Sequence, residues 1–399
     1  MHNSSISEIS NLQSNAADLS RYKVIRAATE EICKPLSIED YVVQPIEDVS
    51  PPKWHLGHTT WFFETFILQQ FKSDYIVFDP NFNFVFNSYY ETVGARVIRT
   101  DRGNLSRPTV DQVYAYRKYV DNAITDFLSN SLTDEAHRIF NLGLQHEQQH
   151  QELLLTDIKY VLGHNPLLPA YSEANLELSE SKNETEFIEL KGGVYEIGFC
   201  GDGFCFDNEL GKHKVYLDAF EIASNLVTNR EYLEFIESEG YKNFRLWHAE
   251  GWDWIKNNNV SAPMYWHKID GEWFYYSLGG LSKIDLAAPA THVNFYEAFA
   301  FAAWKGMRLP TEFEWEVASD NFSWGKRWEW TNSAYLPYPG FATAADATGE
   351  YNGKFMISQM VLRGSSIATP KNHGRNTYRN FFHPKLQWQF TGIRLTKSL

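Results

Sequence analysis

The segment His146-Glu147-Gln148-Gln149-His150-Gln151-Glu152 contains two histidines that are four residues apart. Four residues make about one turn of an α-helix, so the imidazoles of His146 and His150 are expected to stack on one helix face. Apolar residues flank the segment at helical spacing, which favours a helix packed inside a bundle over a solvated polar face. The pair therefore predicts two ligands of a metal site.

A third imidazole can come from the upstream segment 54–61, which also has the pattern of a helix. It holds two histidines, His55 and His58, of which only one needs to face inward. The downstream pair has a second interpretation, because it matches the zinc-protease pattern His-Glu-x-x-His with Glu147 as general base. The residues alone decide neither between His55 and His58 nor between a three-histidine metal site and a zinc-protease site.

Composition narrows the class of protein. The chain has 399 residues, enough for two or more domains, and its formal net charge of -14 argues against nucleic-acid binding. Its three cysteines are too few for a disulfide framework, and we expect free thiols. No signal peptide and no membrane-spanning stretch are present, so we expect a soluble, cytoplasmic protein without a membrane partner.

The first part of the chain, residues 1–163, has helical periodicity in four segments. These are residues 21–34, 52–71, 110–129 and 134–162. Thr109 and Thr133 are the expected N-caps of the last two, and the four segments suggest an antiparallel bundle. The stretch 74–107 is irregular and aromatic, and a loop of this length on a rigid scaffold often carries function.

The second part has a different pattern. Residues 164–186 form a polar stretch with two prolines, which predicts a linker between domains. Residues 187–399 show short strands, turns and many glycine and tryptophan residues, with helical patterns only at 228–239 and 295–306. The sequence therefore predicts an α+β multidomain protein.

Four motifs of the second part resemble the formylglycine-generating-enzyme fold, which is a C-type-lectin-like module. They are Gly306–Glu316, Trp328–Thr331, Val361–Ser365 and Gly392–Leu395. That family's copper-binding cysteine pair has no counterpart, since no cysteine follows Cys205, so formylglycine formation is not expected. The first part resembles the DinB-like four-helix bundle, whose metal site uses three histidines from different helices.

The fusion of these two modules resembles the ergothioneine-biosynthesis sulfoxide synthases (the EgtB family). The resemblance implies an enzyme that uses Fe(II) and dioxygen to join a thiol sulfur to Nα-trimethylhistidine (hercynine). It implies His58, His146 and His150 as ligands and Glu152 as a residue that orients a ligand. His55 then becomes an ordinary polar residue, and Glu147 loses the protease role.

The resemblance also implies substrate contacts. It assigns hercynine binding to Asn380, Phe381 and Phe382, with Gln149 reaching the substrate imidazole, because aromatic faces suit a trimethylammonium cation. The tyrosine pair Tyr89 and Tyr90 matches one branch of the family, in which a tyrosine supplies a proton or an electron and the donor is cysteine rather than γ-glutamylcysteine. Arg96 or Arg99 would bind the donor's carboxylate.

Three alternatives remain open from the sequence. An ovothiol-type synthase, which joins cysteine to histidine, and a selenoneine-type synthase share the two-domain plan. An oxygen-independent, DinB-like, metal-dependent thiol transferase belongs to another class. A lectin-like binding protein would leave the buried histidines unexplained.

Overall fold

The computed structural model describes residues 2–173, 177, 185–343 and 352–399, with side chains from residue 16 onward. The chain divides into two compact units, Met1–Asn165 and Pro166–Leu399. The first unit is helical, and all the described strands lie in the second. The predicted α+β multidomain fold class is confirmed.

The four predicted helical segments of the first unit are present, and a further short helix lies in the stretch 74–107, which was expected to be irregular. The helices are α1 (His2–Cys33), α2 (Pro52–Phe63), α3 (Gln69–Phe71), α4 (Asn81–Phe86), α5 (Val110–Phe127) and α6 (Asp134–Gly163). A π-helical turn, Glu64–Leu68, joins α2 to α3, so the predicted helix 52–71 is continuous. The side chains of Thr109 and Thr133 accept hydrogen bonds from the amides of Gln112 and Ala136, as predicted for N-caps.

Helices α1 and α6 run in the same direction. The side chain of Arg21 donates to Asn141 (2.9 Å), and that of Gln151 donates to Thr29 (3.0 Å), so residue numbers rise together along both helices. Helices α1 and α5 run in opposite directions. Tyr22 contacts Asp121 (2.6 Å), whereas Glu30, which lies eight residues further along α1, pairs with Arg117, which lies earlier on α5 than Asp121 (3.2 Å).

Helix α2 is antiparallel to α6. His58 lies against His146 and His55 lies against His150, so the numbering falls along one helix as it rises along the other. Helices α2 and α5 therefore point the same way, so the predicted bundle has two helices in each direction but does not alternate at every connection. The segment between them has to return along the length of the bundle, which accounts for its unusual length.

The second unit contains four small sheets among its described residues. Their strand orders are β1-β4-β12, β2-β3, β5-β6-β7 and β10-β9-β8-β11. The strands are β1 (Phe187–Leu190), β2 (Gly193–Ile197), β3 (His213–Leu217), β4 (Phe220–Ala223), β5 (Trp266–Ile269), β6 (Glu272–Ser277), β7 (Gly280–Lys283), β8 (Trp328–Ala334), β9 (Met360–Gly364), β10 (Asn380–Phe382), β11 (Thr391–Gly392) and β12 (Thr396–Ser398).

The helices of this unit are α7 (Asn229–Glu237), α8 (Ala249–Asn258), α9 (Phe295–Trp304) and α10 (Glu312–Ala318). Two of them, α7 and α9, confirm the predicted helical patterns. Helices α8 and α10 were not predicted. A signal for α10 was present, because Thr311 and Glu314 form a reciprocal capping box at its start.

Buried ion pairs join the recognised motifs of the second unit. Glu329 on β8 accepts hydrogen bonds from Trp315 on α10 (2.6 Å) and from Arg394 (2.6 Å), and none of the three is exposed to solvent. Arg379 forms a bidentate ion pair with Glu312 (2.7 and 2.9 Å). These charged residues, all of them in the motifs except Arg379, hold strands and helices together, so their role is structural.

The described part of the predicted linker packs on the second unit. Tyr276 on β6 donates to the carbonyl of Pro169 (2.7 Å), and the amide of Leu278 donates to Glu177 (2.9 Å). The rest of the predicted linker, residues 174–176 and 178–184, lies outside the described residues.

All three thiols of the chain, Cys33, Cys200 and Cys205, are free, as its composition predicts. In the part of the chain that is described, no helix has both the length and the apolar character needed to cross a bilayer.

The substitution Glu329→Gln tests the structural role of the buried pairs. It leaves the Arg394 guanidinium buried beside a neutral amide, and we expect the free energy of unfolding to fall by about 3–5 kcal/mol. Urea denaturation followed by tryptophan fluorescence measures this. Lys242→Gln is the matched control, because it breaks an exposed pair with Glu239 and should leave stability unchanged. Equal midpoints for the two variants would contradict the assignment.

Candidate metal centre

Three histidines from two helices converge in the first unit. His58 on α2 and His146 and His150 on α6 each offer one nitrogen, and these three nitrogens all lie within 4.8 Å of one another. Their side chains are 0%, 2% and 7% exposed. The structure therefore brings together the three predicted ligands, one from the upstream segment and two from successive turns of α6.

The orientation of His58 comes from a backbone group. The Nδ1 atom of His58 lies 2.6 Å from the carbonyl oxygen of Phe86 at the end of α4. Because a carbonyl only accepts, Nδ1 carries the proton and Nε2 has a free lone pair. That Nε2 atom lies 3.2 Å from Nε2 of His146, within the reach of a shared ion.

Gly57 allows this close approach of α4. A Cβ atom at residue 57 would lie 2.1 Å from the ring of Phe86, so no side chain fits there. The indole nitrogens of Trp54 and Trp61 donate to the carbonyl of Val85 (3.3 Å) and to Asn83 (2.8 Å). These contacts fix α4 against α2 and thereby place the carbonyl of residue 86.

Aromatic rings surround the histidines. Trp54 stacks on His58 with ring centroids 4.5 Å apart, Trp61 stacks on the same ring at 5.5 Å, and Phe62 lies 4.7 Å from His146. Such a wall excludes water and leaves a charged imidazole poorly solvated. Burial accordingly lowers the pKa of His146 to about 3 and holds the pKa values of His58 and His150 well below their usual range. The cluster is therefore neutral at pH 7.

Neutral imidazoles are the form in which histidine binds metals. Three nitrogen donors in a buried site suit several transition metals, iron and zinc among them. The donor set fits an iron ion without distinguishing it from zinc.

His55 does not behave as an ordinary polar residue, and that expectation is wrong. Its side chain is 2% exposed. Its Nδ1 atom lies 2.9 Å from Nδ1 of His150, and its Nε2 atom lies 3.0 Å from Oδ2 of Asp157. The two histidines of the upstream helix thus both face α6, one toward the metal position and one behind His150.

Glu147 points away from the cluster. It accepts hydrogen bonds from Arg26 on α1 (3.0 Å), from Arg117 on α5 (3.2 Å) and from Thr29 (2.7 Å). Burial alone would raise the pKa of this carboxyl, but the two guanidinium groups lower it below its usual value. A carboxylate held in this way cannot serve as the general base of a zinc protease, which removes that interpretation.

Gln149 and Glu152 lie on the same helix. Gln149 is half-buried and Glu152 is buried. Their assignments to the substrate imidazole and to ligand orientation remain predictions.

The two tyrosines occupy different environments. Tyr90 is 2% exposed, and its ring packs against Trp61 (5.5 Å) and Phe66 (5.2 Å). Tyr89 is half-buried and stacks on Tyr90 at 5.0 Å. Asn87 shapes this loop by donating to the carbonyls of Tyr90 (3.1 Å) and Gly94 (3.0 Å). Tyr90 therefore packs directly against the aromatic wall through Trp61.

Of the arginines in the same loop, the two predicted ones lie toward solvent. Arg96 is half-exposed and pairs with Glu91. Arg99 is exposed and donates to the carbonyl of Asp48 (2.6 Å). Their role in binding a carboxylate remains a prediction.

Arg102 was missed in the sequence, although it continues the three-residue spacing of Arg96 and Arg99. It is 6% exposed, and its guanidinium lies 3.4 Å from the ring centre of Trp54. It donates to the hydroxyls of Ser50 (2.8 Å) and Ser88 (3.1 Å), while its Nε is buried without a partner. No carboxylate among the described residues pairs with it, and burial lowers its pKa well below the usual range. A desolvated cation of this kind favours an anionic ligand.

The predicted hercynine contacts lie in the second unit, on β10. Asn380, Phe381 and Phe382 are all half-buried. The ring of Phe381 stacks on Tyr335 (4.1 Å) and on Phe355 (5.8 Å). Their role in substrate binding remains a prediction.

Comparisons with known proteins cover both units. Residues 21–154 match the DinB superfamily model, and residues 173–326 match the model of the sulfatase-modifying factor enzyme 1-like domain. The chain is 27% identical to hercynine oxygenase of Mycolicibacterium smegmatis, over 87% of this chain and 91% of that protein. It is 29% identical to hercynine oxygenase of Mycobacterium tuberculosis, over 74% and 80%. The chain is therefore similar to the hercynine oxygenases over most of its length.

The two-domain architecture of these oxygenases is present here, which confirms the resemblance found in the sequence. The formylglycine-generating enzyme of Streptomyces coelicolor matches a smaller part of the chain. It is 31% identical over 36% of this chain and 49% of that protein.

The low pKa values of the histidines predict a dependence of stability on pH. Below about pH 6.5 the histidines of the unfolded chain become protonated, whereas those of the folded cluster stay neutral. As the pH is lowered, each histidine therefore reduces the free energy of unfolding by about 1.4 kcal/mol per pH unit, until its pKa in the folded protein is reached. His146→Gln removes one such group. Between about pH 6 and pH 4, the metal-free variant should lose stability less steeply than the wild type by that amount.

Denaturation at a series of pH values measures the two slopes. Above about pH 7.5 the histidines are neutral in both states, and the two proteins should there run parallel. Equal slopes in the acid range would mean that His146 is protonated in the folded protein.

Proposed function

We propose that this chain is an iron(II)- and dioxygen-dependent sulfoxide synthase of ergothioneine biosynthesis. It would form the bond between the sulfur of a thiol donor and the imidazole of hercynine. The observation that carries the proposal is the buried, neutral group His58, His146 and His150, whose nitrogens lie within 4.8 Å of one another. The similarity to hercynine oxygenases supports hercynine as the substrate.

Iron(II) held by three neutral imidazoles would supply open coordination positions for a thiolate and for dioxygen. The protein's part is to keep its ligands unprotonated and to exclude bulk water. The stacked rings of Trp54 and Trp61 and the ring of Phe62 do both, since they desolvate the cluster.

Hercynine carries a trimethylammonium group that cannot donate hydrogen bonds and is best held by aromatic faces. We assign this group to Phe381 and Phe382, and we assign polar contacts of the substrate to Asn380 and Gln149. The half-burial of these residues supports the assignment, because a fully buried ring could not receive a ligand.

One tyrosine of the pair would act as a proton donor, and the hydrogen that the imidazole carbon of hercynine loses when the carbon–sulfur bond forms would restore it. Tyr89 is the more accessible of the two and interacts electrostatically with Arg102, whereas Tyr90 is enclosed by Trp61 and Phe66. We therefore assign proton donation to Tyr89 and packing to Tyr90. Tyr89→Phe should slow turnover more than Tyr90→Phe under saturating substrates, and the reverse order would exchange the roles.

The donor's carboxylate needs a cation. Arg96 and Arg99 remain candidates, but Arg102 is favoured, because it is buried and none of the carboxylates in the described ranges forms an ion pair with it. Hydrogen bonds between charged groups contribute about 1.5–3 kcal/mol, so Arg102→Gln should raise KM for the thiol donor roughly 10–100-fold with a smaller effect on hercynine.

Arg96→Gln and Arg99→Gln are the matched controls, because both side chains lie nearer solvent. Initial rates at varied cysteine concentration separate the three variants. A larger effect on KM in either control than in Arg102→Gln would return the role to the exposed arginines.

The reaction itself is tested with the iron-loaded protein, hercynine and either cysteine or γ-glutamylcysteine under air. Mass analysis should show one product that joins both substrates and carries one added oxygen, with cysteine the better donor. His58→Ala should lose bound iron and product together. Consumption of histidine in place of hercynine would favour an ovothiol-type synthase, and equal turnover without oxygen would favour a thiol transferase.

A further inference from the structure

We propose that Asp157 and His55 form a relay that sets the tautomer of His150, so that its Nε2 atom is unprotonated and available to a metal ion. The inference rests on the three-histidine site of the proposed function. It does not depend on which thiol or imidazole the enzyme uses. His55 is a positioning residue here, since it acts through His150.

The relay crosses from one helix to the other and back. Asp157 follows His150 by seven residues on α6, about two turns, so both side chains lie on the same helix face. His55 on α2 fills the space between them, 3.0 Å from Asp157 Oδ2 and 2.9 Å from His150 Nδ1. The amide of Ser50 donates to the same Asp157 oxygen (2.8 Å), which holds the carboxylate in place.

The positions of the protons follow from this order of groups. An ionised carboxylate only accepts hydrogen bonds, so Nε2 of His55 donates to Asp157. We take Asp157 as ionised and His55 as neutral, so that His55 has one N–H group and its Nδ1 is an acceptor. Nδ1 of His150 must then donate, which leaves the lone pair of His150 on Nε2. If His55 carried its proton on Nδ1 instead, the lone pair on its Nε2 atom would face a lone pair of the Asp157 carboxylate.

Both nitrogens of His55 are used in these contacts, so His55 is not a fourth ligand. The relay does for His150 what the carbonyl of Phe86 does for His58. In each case a group that can only accept hydrogen bonds lies at one end of the row of hydrogen bonds. At the other end, the nitrogen that faces the cluster carries no proton. The difference is that side chains fix the tautomer of His150, and substitution can remove side chains but not a backbone carbonyl.

The metal-free wild type provides the first test. Two-dimensional NMR of protein labelled with ¹⁵N-histidine distinguishes the two tautomers of a neutral imidazole. The signals of His150 are identified by their loss in His150→Gln. We expect a proton on Nδ1 and none on Nε2, and a proton on Nε2 would overturn the proposal.

Two variants provide the second test. His55→Phe keeps a ring and removes both nitrogens, and Asp157→Ala removes the acceptor. Loss of such outer partners of a ligand typically weakens metal binding 10–100-fold, and we expect this range for both variants, measured with Co²⁺ by competition with a chelator. The visible absorption of bound Co²⁺ should also shift.

Asp157→Asn is the conservative variant, because its amide oxygen can accept from both Ser50 and His55. It should recover most of the affinity that Asp157→Ala loses. His292→Phe is the control for deleting a buried imidazole, since His292 lies in the second unit and its Nδ1 contacts a backbone carbonyl. It should leave the affinity unchanged.

The outcomes separate the relay from the proposed function. Unchanged Co²⁺ affinity and spectrum in folded His55→Phe would overturn the relay. A variant that unfolds, as judged by circular dichroism, is set aside in favour of Asp157→Asn against Asp157→Ala, where equal affinities would overturn it. Wild-type protein that binds metal with the expected tautomer but makes no hercynine product would contradict the proposed function alone.

Discussion

The contact on which the first unit depends is the buried carboxylate of Glu147 between two guanidinium groups. Arg26 belongs to α1 and Arg117 to α5, so this one side chain of α6 ties three helices together. It also sets the rotation of α6 about its own axis. Since Glu147 and Gln151 face α1, the neighbouring residues His146 and His150 face α2. The metal position is a consequence of that rotation.

The sequence predicted much of this arrangement and missed the rest for identifiable reasons. Helical periodicity located the long helices, because apolar spacing reflects one buried face at a time. It could not give their directions, which depend on how connections cross the bundle. The three-histidine group was predicted from spacing and resemblance. His55 was misjudged and Arg102 was missed, because a buried polar residue looks like a surface residue until its partners are known.

Charge serves different ends in the two units. In the second unit the buried Arg–Glu pairs join strands to helices, and the motifs that made the sequence recognisable are largely these pairs. In the first unit Glu147 does similar work. Arg102 differs from all of them, because its guanidinium is buried on an aromatic face and, among the residues that the structure describes, forms no ion pair with a carboxylate.

The carbonyl of Phe86 has a consequence for sequence variation. A main-chain oxygen is present whatever side chain residue 86 carries, so the long return segment can change its side chains while His58 keeps its orientation. Gly57 is the exception, because only a hydrogen atom fits beneath the Phe86 ring. Relatives with altered donor preference are therefore expected to diverge in the segment between α2 and α5, and glycine is expected at residue 57 wherever residue 86 carries a large side chain.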